Sequence, residues 1–130
     1  MKSSNKDTSV IIVDDDTMST FLTKEILIDY FENIRIHSFT SGEDCLKYLT
    51  GKVEKFILLV DINMPEMNGW EFLDLYRNLG MKHKFFFLTS SINDDDRKRA
   101  EKGHVCFLNK PLNPSFLVDL INSSDKDENT

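Results

Sequence analysis

Apolar runs of four or five residues recur along the chain, and most of them stop at a polar side chain. Phe56–Val60 is too short for a helix, rich in branched side chains and apolar without alternation, so it predicts a strand covered on both faces that stops at Asp61. Asn63, Pro65 and the Asn68-Gly69 pair then mark a loop leading to a helix. Val10–Val13, Phe85–Leu88 and Val105–Leu108 predict three more strands, followed by the acids Asp14, Asp15 and Asp16, by Thr89, Ser90 and Ser91, and by Lys110 with Pro111. Ile34–Ser38 alternates apolar with polar, as an edge strand does.

Helical spacing fills the intervals. Met18, Leu22 and Ile26 share one face after the first acids, and Ser41 with Asp44 makes a capping-box-like start for a helix carrying Cys45, Leu46 and Leu49. Phe72, Leu73, Tyr76 and Leu79 define the next, with Gly80 placed as its C-cap. Asn93 caps a helix whose first turn, Asp94 to Asp96, complements the helix dipole, and Gly103 closes it. Asn113 and Pro114 open a last helix bearing Phe116, Leu117, Leu120 and Ile121. Five strands alternating with five helices imply a parallel sheet with helices on both faces, which binds ligands at the carboxyl ends of its strands.

Composition adds bounds rather than detail. A chain of 130 residues, 40% hydrophobic and 29% charged, fits one domain, expected over residues 9–122 between a polar lead at 1–8 and a flexible polar tail at 123–130. The net charge of -6 argues against direct nucleic-acid binding. Met1–Ser9 lacks the apolar core of a signal peptide and no run approaches a membrane span, so a cytoplasmic protein without membrane insertion is expected. Cys45 and Cys106 have neither metal-ligand spacing nor disulfide density, and both are expected to be buried as small apolar side chains.

In a parallel sheet the polar groups Asp14, Asp15, Asp61, Thr89 and Lys110 all fall at one edge. Two carboxylates about 4 Å apart repel by about 4 kcal/mol at an effective dielectric near ~20, so three converging acids call for a cation. Mg²⁺ suits oxygen ligands and bridges carboxylates to phosphate; with Lys110 it would bring the three acids to formal neutrality. Asp61 is then placed to attack a phosphoryl group in line, with Thr89 holding an equatorial oxygen, giving an acyl phosphate.

The segments VDDD, LLVDINMPEMNGWEF, FFFLTSS and FLNKPL together resemble a response-regulator receiver domain over nearly the whole chain. The resemblance implies a flavodoxin-like three-layer sandwich with strand order 2-1-3-4-5, and phosphorylation of Asp61 by a histidine kinase or histidine phosphotransfer protein. It implies Mg²⁺ held by Asp14, Asp15, Asp61 and the Asn63 backbone carbonyl, with Thr89 and Lys110 sensing the phosphate. Pro111 would follow a cis bond. Phe107 takes the switch-aromatic position, often tyrosine in the family, so the ring is kept without the phenolic hydroxyl. The chain would be a two-component signalling switch that assists its own phosphorylation and dephosphorylation, not an enzyme with an outside substrate. When Asp61 is phosphorylated, Thr89 would turn to the phosphoryl group and Phe107 into the vacated space.

Two other classes stand beside this one. A small Mg²⁺-dependent aspartate-nucleophile phosphatase would use the same strand-end acid, yet usually carries a second acid where this chain has Asn63. A receiver-like scaffold that accepts no phosphate is the third. Asp16 is expected to cap or face solvent, Trp70 to pack, and His37, His83 and His104 to lie at the surface or an edge. Met18, Leu22, Pro111 and Leu112 are candidates for an apolar docking patch for a phosphodonor or an unidentified downstream protein, with Met18 and Leu22 also candidates for the core. The segment Asp94 to Lys102 has Ala100 as its one apolar residue and is expected to be weakly anchored.

Overall fold

A computed structural model of the chain describes residues 8–119. Its elements run β1 (Thr8–Val13), α1 (Thr17–Tyr30), β2 (Ile34–Phe39), α2 (Gly42–Leu49), β3 (Ile57–Val60), α3 (Gly69–Asn78), β4 (Lys84–Thr89), α4 (Asp94–Gly103) and β5 (Cys106–Asn109). A fifth helix, α5, begins at 114 and continues to 119. Leu120, Ile121 and, apart from Thr8, the expected polar lead and tail lie outside the described residues.

The five strands form one parallel sheet in the order β2-β1-β3-β4-β5, the flavodoxin-like arrangement. Strand alternation divides the core in two. Ile11, Val13, Leu58, Val60 and Phe87 face one side with Cys45, Leu49, Phe72, Tyr76 and Ala100, under α2, α3 and α4. Val10, Ile12, Ile57, Leu59, Phe86 and Leu88 face the other with Leu27 and Leu117, under α1 and α5. All four residues of β3 are buried because helices cover both its faces and strands flank both its sides. The alternating β2 is an edge strand, as its pattern predicts.

Three expectations need correction. Met18 and Leu22 do not face the core: they are 64% and 54% exposed, and α1 buries Thr20, Thr23 and Leu27. A threonine serves there because its hydroxyl is satisfied locally, Thr23 Oγ1 donating to the Ser19 carbonyl at 3.0 Å, which leaves its methyl to pack. Leu112 is buried in the core rather than in a surface patch. Cys45 is buried, its thiol pushed up to about 12 by burial, but Cys106 is exposed because β5 is the second edge strand and pairs on one side alone.

Helix ends follow local chemistry. Asp16 caps α1 by accepting from the Met18 and Ser19 N–H groups. Gly80, at φ 76°, sits just past the end of α3. Gly103 stays inside α4, and His104, at φ 53°, takes the left-handed position beyond it. Among the described residues, no helix is long and apolar enough to cross a membrane.

Candidate functional site

The backbone ladder runs past the strand ends and aligns the polar residues. The Asp61 N–H donates to the Val13 carbonyl at 2.9 Å, the Asp14 N–H to Phe39 at 3.0 Å, and the Lys110 N–H to Thr89 at 2.9 Å. Asp14, Asp61, Thr89 and Lys110 therefore stand along one edge on four adjacent strands, and their spacing is set by sheet geometry rather than by flexible loops. One ligand oxygen each from Asp14, Asp15 and Asp61 lies within 4.8 Å of the others.

Lys110 binds two of these acids. Its Nζ donates to Asp14 Oδ2 at 2.6 Å and to Asp61 Oδ2 at 3.3 Å. The remaining oxygens are held from the loops, Asp14 Oδ1 by the Asp16 N–H at 2.9 Å and Asp61 Oδ1 by the Asn63 N–H at 3.3 Å. Burial raises the Asp61 pKa, the negative Asp14 adds to the rise, and Lys110 opposes it without cancelling it. For Lys110 burial works against the ammonium, yet the hydrogen bond to Asp14 and the charges of Asp61 and Asp14 outweigh it, so its pKa is raised. One lysine against three carboxylates leaves an excess of negative charge. An all-oxygen donor set with that excess fits a hard divalent cation such as Mg²⁺.

Thr89 is fully buried, and its hydroxyl is engaged with the following loop, donating to the Ser91 carbonyl at 3.0 Å. Phe107 is half-buried on β5 with the Arg97 guanidinium 5.5 Å above its ring. The Lys110-Pro111 bond is cis. Asn63 is exposed in the loop after Asp61. His37 lies on edge strand β2 beside Tyr48, His83 is half-buried against the Tyr76 hydroxyl, and His104 is exposed, so none joins the site.

Some of the site's support escaped the sequence reading. Asn68 and Glu71 form a full capping box on α3, a signal present in the sequence as N-x-x-E. Gly69 is needed for close approach: its N–H donates to the Ile62 carbonyl at 2.7 Å, and a Cβ there would meet the Asp61 carbonyl oxygen at 2.7 Å. At the opposite edge of the sheet a cavity of about 370 Å³ is lined by Tyr76, Arg77, His83 and Phe85 among others. One of its basic groups offsets a helix carboxyl end, Arg77 Nη2 donating to the Gly103 carbonyl at 2.7 Å.

Comparison with known proteins agrees with this geometry. Residues 10–122 match the family model described as response regulator receiver domain. The chain is 29% identical over 119 residues to the response regulator SaeR of Staphylococcus aureus (strain USA300), covering 89% of this chain and 50% of that protein, so it spans about half the length of the curated relatives it matches. Among solved structures it is similar to a two component response regulator from Cytophaga hutchinsonii, 33% identical with a TM-score of 0.78 over 92% of this chain and 97% of that one. A response regulator receiver protein from Dyadobacter fermentans, 24% identical, shares the fold with a TM-score of 0.79 over 89% of this chain and 96% of that one. With the parallel sheet, the strand-end acids and the lysine between them, the chain belongs to the response regulator receiver domain family of two-component systems.

Proposed function

We propose that Asp61 accepts a phosphoryl group from a phosphohistidine of a histidine kinase or histidine phosphotransfer protein. A carboxylate oxygen forms the new bond to phosphorus as the bond to the imidazole nitrogen breaks, leaving an acyl phosphate on Asp61 and a free histidine on the donor. The observation that carries this reading is the position of Asp61 at the end of the central strand, within reach of both Lys110 and the Asp14–Asp15 pair.

Asp14, Asp15, Asp61 and the Asn63 backbone carbonyl would hold Mg²⁺, whose chemistry is to offset the charge of carboxylates and phosphoryl oxygens. Lys110 then has a second role, because an ammonium already bound to Asp61 can follow the charge as it moves onto the phosphoryl oxygens. Thr89 would exchange Ser91 for a phosphoryl oxygen, and Phe107 would move into the space that the threonine leaves. Exposed Met18, Leu22 and Pro111 sit on segments that start from the site's own acids and lysine, which suits an apolar rim for a docking phosphodonor. The signal would then pass to a downstream protein by contact, in the cytoplasm.

Incubation with acetyl phosphate and Mg²⁺ followed by intact mass and peptide mapping tests the assignment. One phosphoryl group on Asp61, lost in Asp61→Asn, is the expected result. Label on a serine or histidine, or undiminished label in the Asn variant, would overturn it. No label at all would favour the non-accepting scaffold, and steady release of phosphate from small monoesters would favour a phosphatase.

A further inference from the structure

Helix α4 buries a single side chain, Ala100, so apolar packing contributes little to holding it in place. It is instead joined to α3 at both ends. At its first turn the Trp70 indole Nε1 donates to Asp96 Oδ1 at 2.9 Å, and the Arg99 guanidinium, one turn on, lies 4.7 Å over the same indole. At its last residue Arg77 donates to the Gly103 carbonyl. The Arg99–Asp74 pair, at 3.9 Å and exposed on both sides, adds little.

The first-turn contact is also the one next to the site. Trp70 follows Gly69, which packs on the backbone of Asp61 and Ile62, and its ring meets Phe87 edge-on at 4.7 Å, two residues before Thr89. The Thr89 hydroxyl ties the loop before α4 through the Ser91 carbonyl. Once that tie is released, the indole contact is the remaining polar restraint described on the first turn of α4 from α3.

We propose that Trp70, through Asp96 and Arg99, is a latch that holds the first turn of α4 in its resting position and opens when Asp61 is phosphorylated, while the Arg77–Gly103 contact stays closed as the pivot. The opening step rests on the phosphoacceptor reading above; the resting latch does not. Asp96 accepts the indole hydrogen bond with its side chain while its own N–H is bound to the Asn93 cap, so latch and cap restrain the same turn and losing the latch lets that turn open more often. The amplitude of the response is then set by a contact that lies outside the acidic site.

Amide exchange across Ile92–Gly103 in the unmodified full chain tests the resting latch. Trp70→Phe keeps a ring against Phe87 and removes the donor; Asp96→Ala removes the acceptor. Each should speed exchange in the first turn of α4 about fivefold, the scale of one hydrogen bond's net contribution, and the double variant should add little further. Asp96→Asn keeps an acceptor and should stay near wild type. Wild-type rates in both Trp70→Phe and Asp96→Ala would overturn the latch.

Treatment with acetyl phosphate and Mg²⁺, scored by mass, tests the opening. Labelled protein should show a changed emission from Trp70, the single tryptophan, and lost protection at Asp94–Arg97 with protection near Gly103 kept. Label on Asp61 with emission and exchange unchanged would overturn the opening and leave the phosphoacceptor reading standing. Failure to label would overturn that reading, and exchange in the unmodified protein would still decide the latch.

Discussion

Lys110 and Gly69 do more at the site than their residue types suggest. Lys110 binds Asp14 more closely than Asp61, so in the resting protein it steadies the acidic pair as well as the central acid. Gly69 matters for what it lacks. A methyl group there would lie 2.7 Å from both the Asp61 carbonyl oxygen and the Ile62 Cα, and 2.8 Å from Phe87 Cε1, three neighbours that backbone and core packing hold fixed. Gly69→Ala is therefore expected to cost about 1–3 kcal/mol of stability, read as a lower denaturant midpoint, and to lower the rate at which Asp61 is labelled. An unchanged midpoint would mean that the loop relaxes freely. The sequence marked Gly69 as a turn residue, but the close approach depends on α3 packing over the end of β3, which local pattern does not encode.

Among the elements, α1 departs furthest from its apolar pattern. The stripe Met18, Leu22 and Ile26 left Met18 and Leu22 open between the core and a docking patch; the helix turns Thr20, Thr23 and Leu27 inward, packs Ile26 partly against the core and leaves Met18, Phe21 and Leu22 exposed. Leu27→Ala should cost about 2–5 kcal/mol, whereas Leu22→Ala should stay within about 0.5 kcal/mol of wild type in the same unfolding experiment. The contrast separates core from surface on one helix. Helix α4 shows the opposite case, since its scarcity of apolar residues was legible and the structure bears out its weak burial. What the chain did not reveal is the bond from Trp70 to Asp96, 26 positions away, because no local rule pairs an indole on one helix with a carboxylate on another.

For the whole molecule, the crowding of Asp14, Asp15 and Asp61 at one edge means that a bound cation should stabilise the fold. At a Mg²⁺ concentration tenfold above its dissociation constant the gain is about 1.4 kcal/mol, or roughly 5 °C in Tm for a domain of this size. Asp15→Asn should reduce that shift, and the same Tm with and without Mg²⁺ in wild type would remove the metal from the reading. The sequence by itself determined the alternation of strands and helices, the edge character of β2, and the acids, Thr89 and Lys110 that close the strands, because strand length, branched side chains and capping chemistry act over a few residues. Tertiary structure alone decided which face of α1 is buried, that Cys106 is exposed while Cys45 is not, and that Lys110 rests between two carboxylates. Those outcomes depend on which strands form the sheet edges and how the helices settle on the two faces, and such contacts join residues up to 96 positions apart.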